Sequence, residues 1–186
     1  MRVLAHPRRS LLQEAVTTME RSHAAGRLII VCGLPGSGKT THAKRLEQEL
    51  RAVRFCPDEW IISFGGGLWE TSLRSRIEEL QWKLAPDLLA LGHTVIIDWG
   101  TWARSERDAL RVRAQAMGAS VELHSLDAPL TVLMERVRER NGESPPITMD
   151  DLVRWDAQFE RPSVEELALF DRASHHKTQQ NSDESW

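Results

Sequence analysis

Only two cysteines, Cys32 and Cys56, occur among 186 residues. That is too few for a disulfide framework or a four-cysteine zinc site, and it points to a reducing, cytoplasmic setting. A basic excess is lacking too: 24 Lys plus Arg stand against 27 Asp plus Glu, a formal net charge of −3. A protein that coats nucleic acid normally carries a positive surplus. No apolar run approaches the roughly 20 residues of a membrane span, so no membrane partner is expected. Tyrosine is absent beside seven Trp, and lysine occurs only at Lys39, Lys44, Lys83 and Lys177. The basic start, with Arg2, Arg8 and Arg9, has no apolar core of the roughly 7–15 residues that a secretory signal needs. Leu11, Leu12, Ala15, Val16 and Met19 recur there at helical spacing behind Ser10, which predicts a packed N-terminal helix within residues 1–26.

What is present reads as one globular domain, with 41% hydrophobic and 27% charged residues. Leu28 to Cys32 is a continuous apolar run, as in a strand buried on both faces. A Gly-rich turn and a helix from about Lys39 to Ala52 follow. Val53 to Cys56 is a short second strand closed by Pro57. Leu73, Ile77, Leu80, Leu84, Leu88 and Leu91 predict one buried helical stripe, which Pro86 should kink or divide. Thr94 to Asp98 reads as a third strand, Ser105 to Met117 as a helix and Ser120 to Leu126 as a fourth strand. A charged helix follows Pro129 to about Asn141. Thr148 with Asp151 and Ser163 with Glu166 read as capping boxes, and Phe170 to His175 as a short fifth strand. This alternation predicts an α/β, three-layer fold: a parallel sheet of four to five strands, helices on both faces and a helical lid. The domain spans residues 27–176, with a polar, frayed tail over 177–186.

Gly33-Leu34-Pro35-Gly36-Ser37-Gly38-Lys39-Thr40 satisfies G-x-x-x-x-G-K-[ST] at every fixed position. Glycines let the backbone curl so that amide N–H groups converge on an anion, and the following helix adds its positive end. Strand and helix flank the motif where its mechanism needs them. Gly33, Pro35, Gly36, Ser37, Gly38, Lys39, Thr40 and Thr41 are therefore the candidate ATP contacts. Lys39 reaches the β- and γ-phosphates, and the Thr40 hydroxyl is a ligand for Mg2+. In a chain that nearly always uses Arg, this position is Lys. No Asn-Lys-x-Asp string for guanine occurs. Trp99 follows Asp98 where ATPase motors place a water-activating carboxylate, so transfer fits better than hydrolysis.

Ligands of doubly wound sheets bind beyond the carboxyl ends of the strands. Asp58, Asp98 and Asp127 fall at that edge. Asp58 suits a general base that takes the proton of an attacking hydroxyl, against the simpler reading of a helix cap before Glu59. Asp98 suits Mg2+ or acceptor positioning, against a structural strand-end carboxylate. Arg136 and Arg140, four residues apart, share one helix face and suit lid arginines over the transferring phosphate; Arg138 points to solvent. Gly65-Gly66-Gly67 suits a hinge or a plain loop. Trp60, Trp69, Trp99 and Trp102 are candidates for stacking on a planar acceptor, and Arg74 and Arg76 for contacting an anionic one, against packing and a solvated face respectively. His42 reads as packing or surface, and His175-His176 lacks further ligands at metal spacing. Cys32 and Cys56 read as small buried hydrophobes.

Over residues 27–172 the chain resembles the small P-loop kinases related to the phage-type polynucleotide kinase domain, zeta toxins, chloramphenicol phosphotransferase and gluconate kinase. The resemblance rests on Gly33 to Thr40, on Pro57-Asp58-Glu59, on Val95 to Asp98 with Arg107, and on Leu126-Asp127-Ala128-Pro129 leading to Arg136 and Arg140. It implies Asp58 as general base and lid roles for Arg136 or Arg140. Ile61 stands where polynucleotide kinases have an Arg, and their carboxylate after the third strand would fall near Gly100. The expected activity is thus transfer of the γ-phosphate of ATP to a hydroxyl of a small molecule. A polynucleotide 5′-hydroxyl kinase and a nucleotide-dependent switch without acceptor chemistry are the alternatives.

Overall fold

The computed structural model describes residues 25–140 and 144–178. The N-terminal helix expected within residues 1–26 and most of the expected tail lie outside those residues. Five strands form one sheet: β1 Arg27–Cys32, β2 Val53–Phe55, β3 Thr94–Gly100, β4 Ser120–Asp127 and β5 Arg172–Lys177. Their order is β2-β3-β1-β4-β5, and every pairing is parallel. The helices are α1 Lys39–Leu50, α2 Pro57–Ser63, α3 Thr71–Ala90, α4 Arg104–Ala116, α5 Leu130–Arg140, α6 Met149–Gln158 and α7 Val164–Leu167.

The apolar run of β1 is explained by helices on both of its faces. Leu28, Ile30 and Cys32 join a large core with Ala85 and Leu89 of α3, Leu110 of α4, Leu133 of α5 and Leu152 of α6. Ile29 and Val31 point the other way and pack with Ile96, Leu126 and the α1 residues Ala43 and Leu46. Each fully buried Leu or Ile of this kind contributes about 1.5–3 kcal/mol. The phosphate turn therefore leaves the central strand, which is held on every side.

Several sequence expectations are corrected by packing. α3 runs unbroken across Pro86. Ala85 and Leu89 beside it are buried in the core, which outweighs the one amide bond that Pro removes. Its buried stripe is Ile77, Gln81, Ala85 and Leu89, whereas Leu80, Leu84 and Leu91 are exposed. Gln81 is drawn inward because its Oε1 accepts the Trp99 indole N–H at 2.8 Å. The Thr148–Asp151 capping box forms in both directions. At Ser163 only half of the second box forms: Ser163 Oγ accepts from the Glu166 amide at 3.2 Å, while the Glu166 carboxylate goes to Arg107. β5 begins at Arg172, two residues later than expected, and includes Lys177.

β3 also outruns its expected end at Asp98. Ile30 pairs with Ile97 and Cys32 with Gly100, so Asp98 and Trp99 oppose Val31 alone. This bulge lets the ladder resume at Gly100 while Asp98 is carried at the irregularity, a common device beside active sites.

Candidate active site

The phosphate turn is shaped by backbone that only glycine accepts cheaply. Gly33 has φ +147°, and a Cβ there would lie 2.3 Å from the Leu126 carbonyl and 2.8 Å from Ser37 Oγ. Gly36 has φ +80°, and a Cβ there would lie 2.6 Å from the Leu133 carbonyl of α5. Helix α5 thus approaches the turn closely enough to need a missing side chain. Lys39 Nζ donates to the Leu34 carbonyl at 2.8 Å, which folds the ammonium back over the loop. Burial draws the Lys39 ammonium below its ordinary value, while the Asp98 and Asp58 carboxylates pull it back up. Ser37 Oγ and Thr101 Oγ1 are buried without a hydrogen-bond partner within the described residues. Ser37 lies in the Gly-rich turn just before α1, where such an orphaned hydroxyl suits an anionic ligand, whereas Thr101 lies in the loop after β3.

Asp98 is buried at 5% exposure. Burial raises its carboxyl, opposed by Lys39, by Arg54 and by a hydrogen bond from Thr40. Sequence reasoning missed Arg54, which nothing but its place on the short β2 could have flagged. Its guanidinium donates to Asp98 at 3.2 Å, to Glu47 at 2.9 Å and to Glu59 at 2.7 Å. These bonds tie α1, α2 and β3 together around the Asp98 carboxylate. Thr40 and Asp98 are oxygen donors at one point, the donor type that Mg2+ takes.

Asp58 opens α2 after Pro57, and its Oδ1 accepts from Arg74 of α3. Arg74, expected on a solvated face or against an acceptor, is therefore engaged by Asp58. Asp58 also acts on Lys39 and Asp98 through its charge, so the three lie in one field. Glu78, one turn beyond Arg74, escaped sequence reasoning. Burial pushes its carboxyl up to about 7, Arg74 lowers it, and Glu106 and Asp58 raise it further.

From α5, Arg136 Nη1 donates to the Gly36 carbonyl at 3.3 Å, and the charge of Arg140 reaches Lys39. Arg138 is exposed as expected. The candidate tryptophans make two groups. Trp60 packs edge-on against Phe55 with centroids 6.4 Å apart. Trp102 donates to the Gly33 carbonyl at 3.2 Å. Its ring lies 5.8 Å from Trp155, which lies 5.9 Å from Trp69, and Trp69 donates to the Pro145 carbonyl at 3.0 Å. Trp155 of α6 is the link that sequence reasoning missed. Thr41 is exposed on α1 next to Thr40. A cleft of about 400 Å³ at the β4–β5 edge is lined by Asp127, Pro129, Asp156, Arg161 and Lys177 among others, and does not include Lys39.

Arg107 of α4, quoted above for its place in a motif, is fully buried. All five of its N–H groups are engaged: two on Glu166, at 2.6 and 2.9 Å, and one each on the carbonyls of Thr101, Trp102 and Glu160 at 2.8–2.9 Å. It fixes the loop that carries Trp102 onto the phosphate turn. Cys32 and Cys56 are buried, and burial raises both thiols, Cys56 to about 11, so neither is a ready nucleophile.

A central-strand phosphate turn in an all-parallel sheet of this order defines a P-loop NTPase of the kinase architecture. The chain belongs to the AAA_33 family, an AAA domain, which matches residues 28–162. Among curated proteins, it is 29% identical over 150 residues to an uncharacterized protein of Mycobacterium tuberculosis H37Rv, Rv2004c. The match takes in 73% of this chain and 30% of that protein, so the chain spans about a third of its relative's length. Among solved structures, a gluconokinase from Sinorhizobium meliloti 1021 superposes with a TM-score of 0.53 at 21% identity, covering 83% of each chain. A chain of the Pnkp1/Rnl/Hen1 RNA repair complex gives 0.61 at 23% identity, over 75% of this chain and 46% of the other. At these identities the likeness is one of fold. Among the described residues, no helix is long and apolar enough to cross a membrane.

Proposed function

We propose that this chain is an ATP-dependent phosphotransferase that moves the γ-phosphoryl group to a hydroxyl of a small molecule. The observation that carries the reading is the meeting of Lys39, Thr40, Asp98 and Asp58 at one sheet edge, within one electrostatic field. Gly33, Pro35, Gly36, Ser37, Gly38 and Thr41 complete the nucleotide cradle, in which Lys39 leaves the Leu34 carbonyl for phosphate oxygens. Thr40 and Asp98 would hold Mg2+, whose charge offsets that of the phosphates. Arg74 holds Asp58 Oδ1, which leaves Oδ2 to take the acceptor's proton. The acceptor oxygen then bonds to the γ-phosphorus as the bridging oxygen departs with ADP. Arg136 and Arg140 neutralise charge on the transferring group from the lid side. Trp60, Trp69 and Trp102 border the acceptor, with their indole N–H groups turned to backbone where the bonds above record it.

The fold shared with the gluconokinase supports a small acceptor, as does the acidic balance of −3. The fold shared with the RNA repair chain supports a second reading, a polynucleotide 5′-hydroxyl kinase. An ATP-consumption screen over sugars, nucleosides, antibiotics and a 5′-hydroxyl oligonucleotide separates these. Lys39→Ala should abolish turnover, and Asp58→Asn should lower kcat by about 10²–10⁴-fold. Full turnover in Asp58→Asn removes the base assignment. A steeply salt-dependent response to the oligonucleotide alone moves the reading to a polynucleotide acceptor. Tight ATP binding that no acceptor converts to turnover leaves a nucleotide-dependent switch.

A further inference from the structure

Three histidines distant in the chain meet on the α1 side of the sheet. His42 sits in the first turn of α1, His124 on β4 and His176 on β5. The register explains the meeting: Leu126 pairs with His176 and His124 with Ser174, and Leu126 itself packs against α1. Side chains two apart on β4 share that face. One ring nitrogen from each histidine lies within 4.8 Å of the other two. His42 Nε2 and His124 Nδ1 are 2.8 Å apart, and the ring of His176 is centred 4.8 Å from that of His42. The expectation that His175-His176 lacks further ligands is thereby corrected. The missing partners lie 134 and 52 positions back from His176, beyond any local motif.

We propose that His42, His124 and His176 form a binding site for a divalent late first-row transition ion, of which Zn2+ is the type, fastening edge strand β5 to the P-loop helix. Imidazole nitrogens suit such ions, whereas Mg2+ demands oxygen, so this site is chemically separate from the Thr40–Asp98 pair. Metal–nitrogen bonds of about 2.0–2.1 Å around a tetrahedral centre set nitrogens roughly 3.4 Å apart. The observed spacings bracket that value, and side-chain torsions close the difference. A second, independent observation lies behind the rings. His124 Nε2 faces Glu122 Oε2 at 3.4 Å, and Glu122 is itself held by Arg27 at 2.7 Å. A carboxylate behind the outer nitrogen fixes the tautomer that leaves Nδ1 as the donor, the usual support of a metal-bound histidine. Ser174 Oγ, 3.0 Å from His176 Nε2, also contacts the third ring. Because His176 is exposed, a fourth position opens to water.

The test uses the full chain stripped with a chelator and titrated with Zn2+ in competition with a chromophoric chelator. One equivalent should bind, and Zn2+ should slow hydrogen exchange at the β5 amides. His176→Asn, on an exposed strand edge that tolerates the change, should weaken binding by more than tenfold and remove the protection. Loss of an outer partner alone costs about 10–100-fold, the range expected for Glu122→Gln. His175→Asn, on the opposite face of β5, should change nothing. Absence of stoichiometric Zn2+ binding overturns the proposal. So does an affinity that His176→Asn leaves intact, or one that His175→Asn lowers equally.

Discussion

Replacing Arg107 by Met would remove the positive member of a fully buried ion pair and leave the rest of the arrangement in place. Glu166, at 1% exposure, would be left buried with no cation beside it, and the Thr101, Trp102 and Glu160 carbonyls would each lose a donor. Breaking one side of a buried pair costs about 3–5 kcal/mol. For a domain of this length, 1 kcal/mol corresponds to about 2–4 °C, so Tm should fall by about 6–20 °C. Thermal unfolding followed by circular dichroism, with a urea titration for the free energy, reads this directly. The double variant Arg107→Met/Glu166→Met should recover the part of the loss that comes from the uncompensated carboxylate, but not the part from the three carbonyls, because an apolar pair of similar volume is often neutral relative to a buried ion pair. A single-variant loss below about 1 kcal/mol, or a double variant no more stable than Arg107→Met, would refute the reasoning.

Two further outcomes follow from glycine geometry and from burial. Gly33→Ala should cost at least about 2 kcal/mol and abolish ATP affinity, because its Cβ has nowhere to go against the Leu126 carbonyl. Gly65→Ala, also at positive φ but with nothing within 4 Å, should cost about 1 kcal/mol and leave ATP affinity intact. Paired unfolding and nucleotide titrations distinguish them. Glu78 holds its proton more tightly folded than unfolded, with a folded pKa of about 7 against 4.5. Its contribution is therefore complete below the unfolded value and is lost as pH rises through about 7. Glu78→Gln should raise stability at pH 8, by about 1 kcal/mol after allowance for solvent access, and change little at pH 4. Equal Tm differences at both pH values would remove Glu78 as the cause.

The part of this molecule that local chemistry dictates could be read in advance. A strand buried on both faces, a glycine turn and a helix follow one another within 24 residues, and each constrains the next, so the cradle and the central β1 were legible. Asp58 and Asp98 were legible as sheet-edge carboxylates, since strand polarity alone places them. What was hidden depends on partners remote in sequence. Leu80 and Leu84 carry the periodicity of a buried stripe, yet Gln81 takes the inward position because Trp99 supplies a half-buried donor. Glu166 sits at capping-box spacing but is claimed by an arginine 59 residues away. Arg54, the bulge at Asp98 and the three histidines belong to the same class, for each arises from register between strands that no local pattern encodes.

The three indoles of Trp69, Trp155 and Trp102 are spaced 5.8–5.9 Å apart, and the last is tied to the Gly33 carbonyl. Seven tryptophans and no tyrosine make the near-ultraviolet emission purely indole. The row ends at a ring whose N–H rests on the first residue of the phosphate turn, so filling or straining that turn should change the intrinsic fluorescence, and an ATP titration that leaves the emission unchanged would refute this.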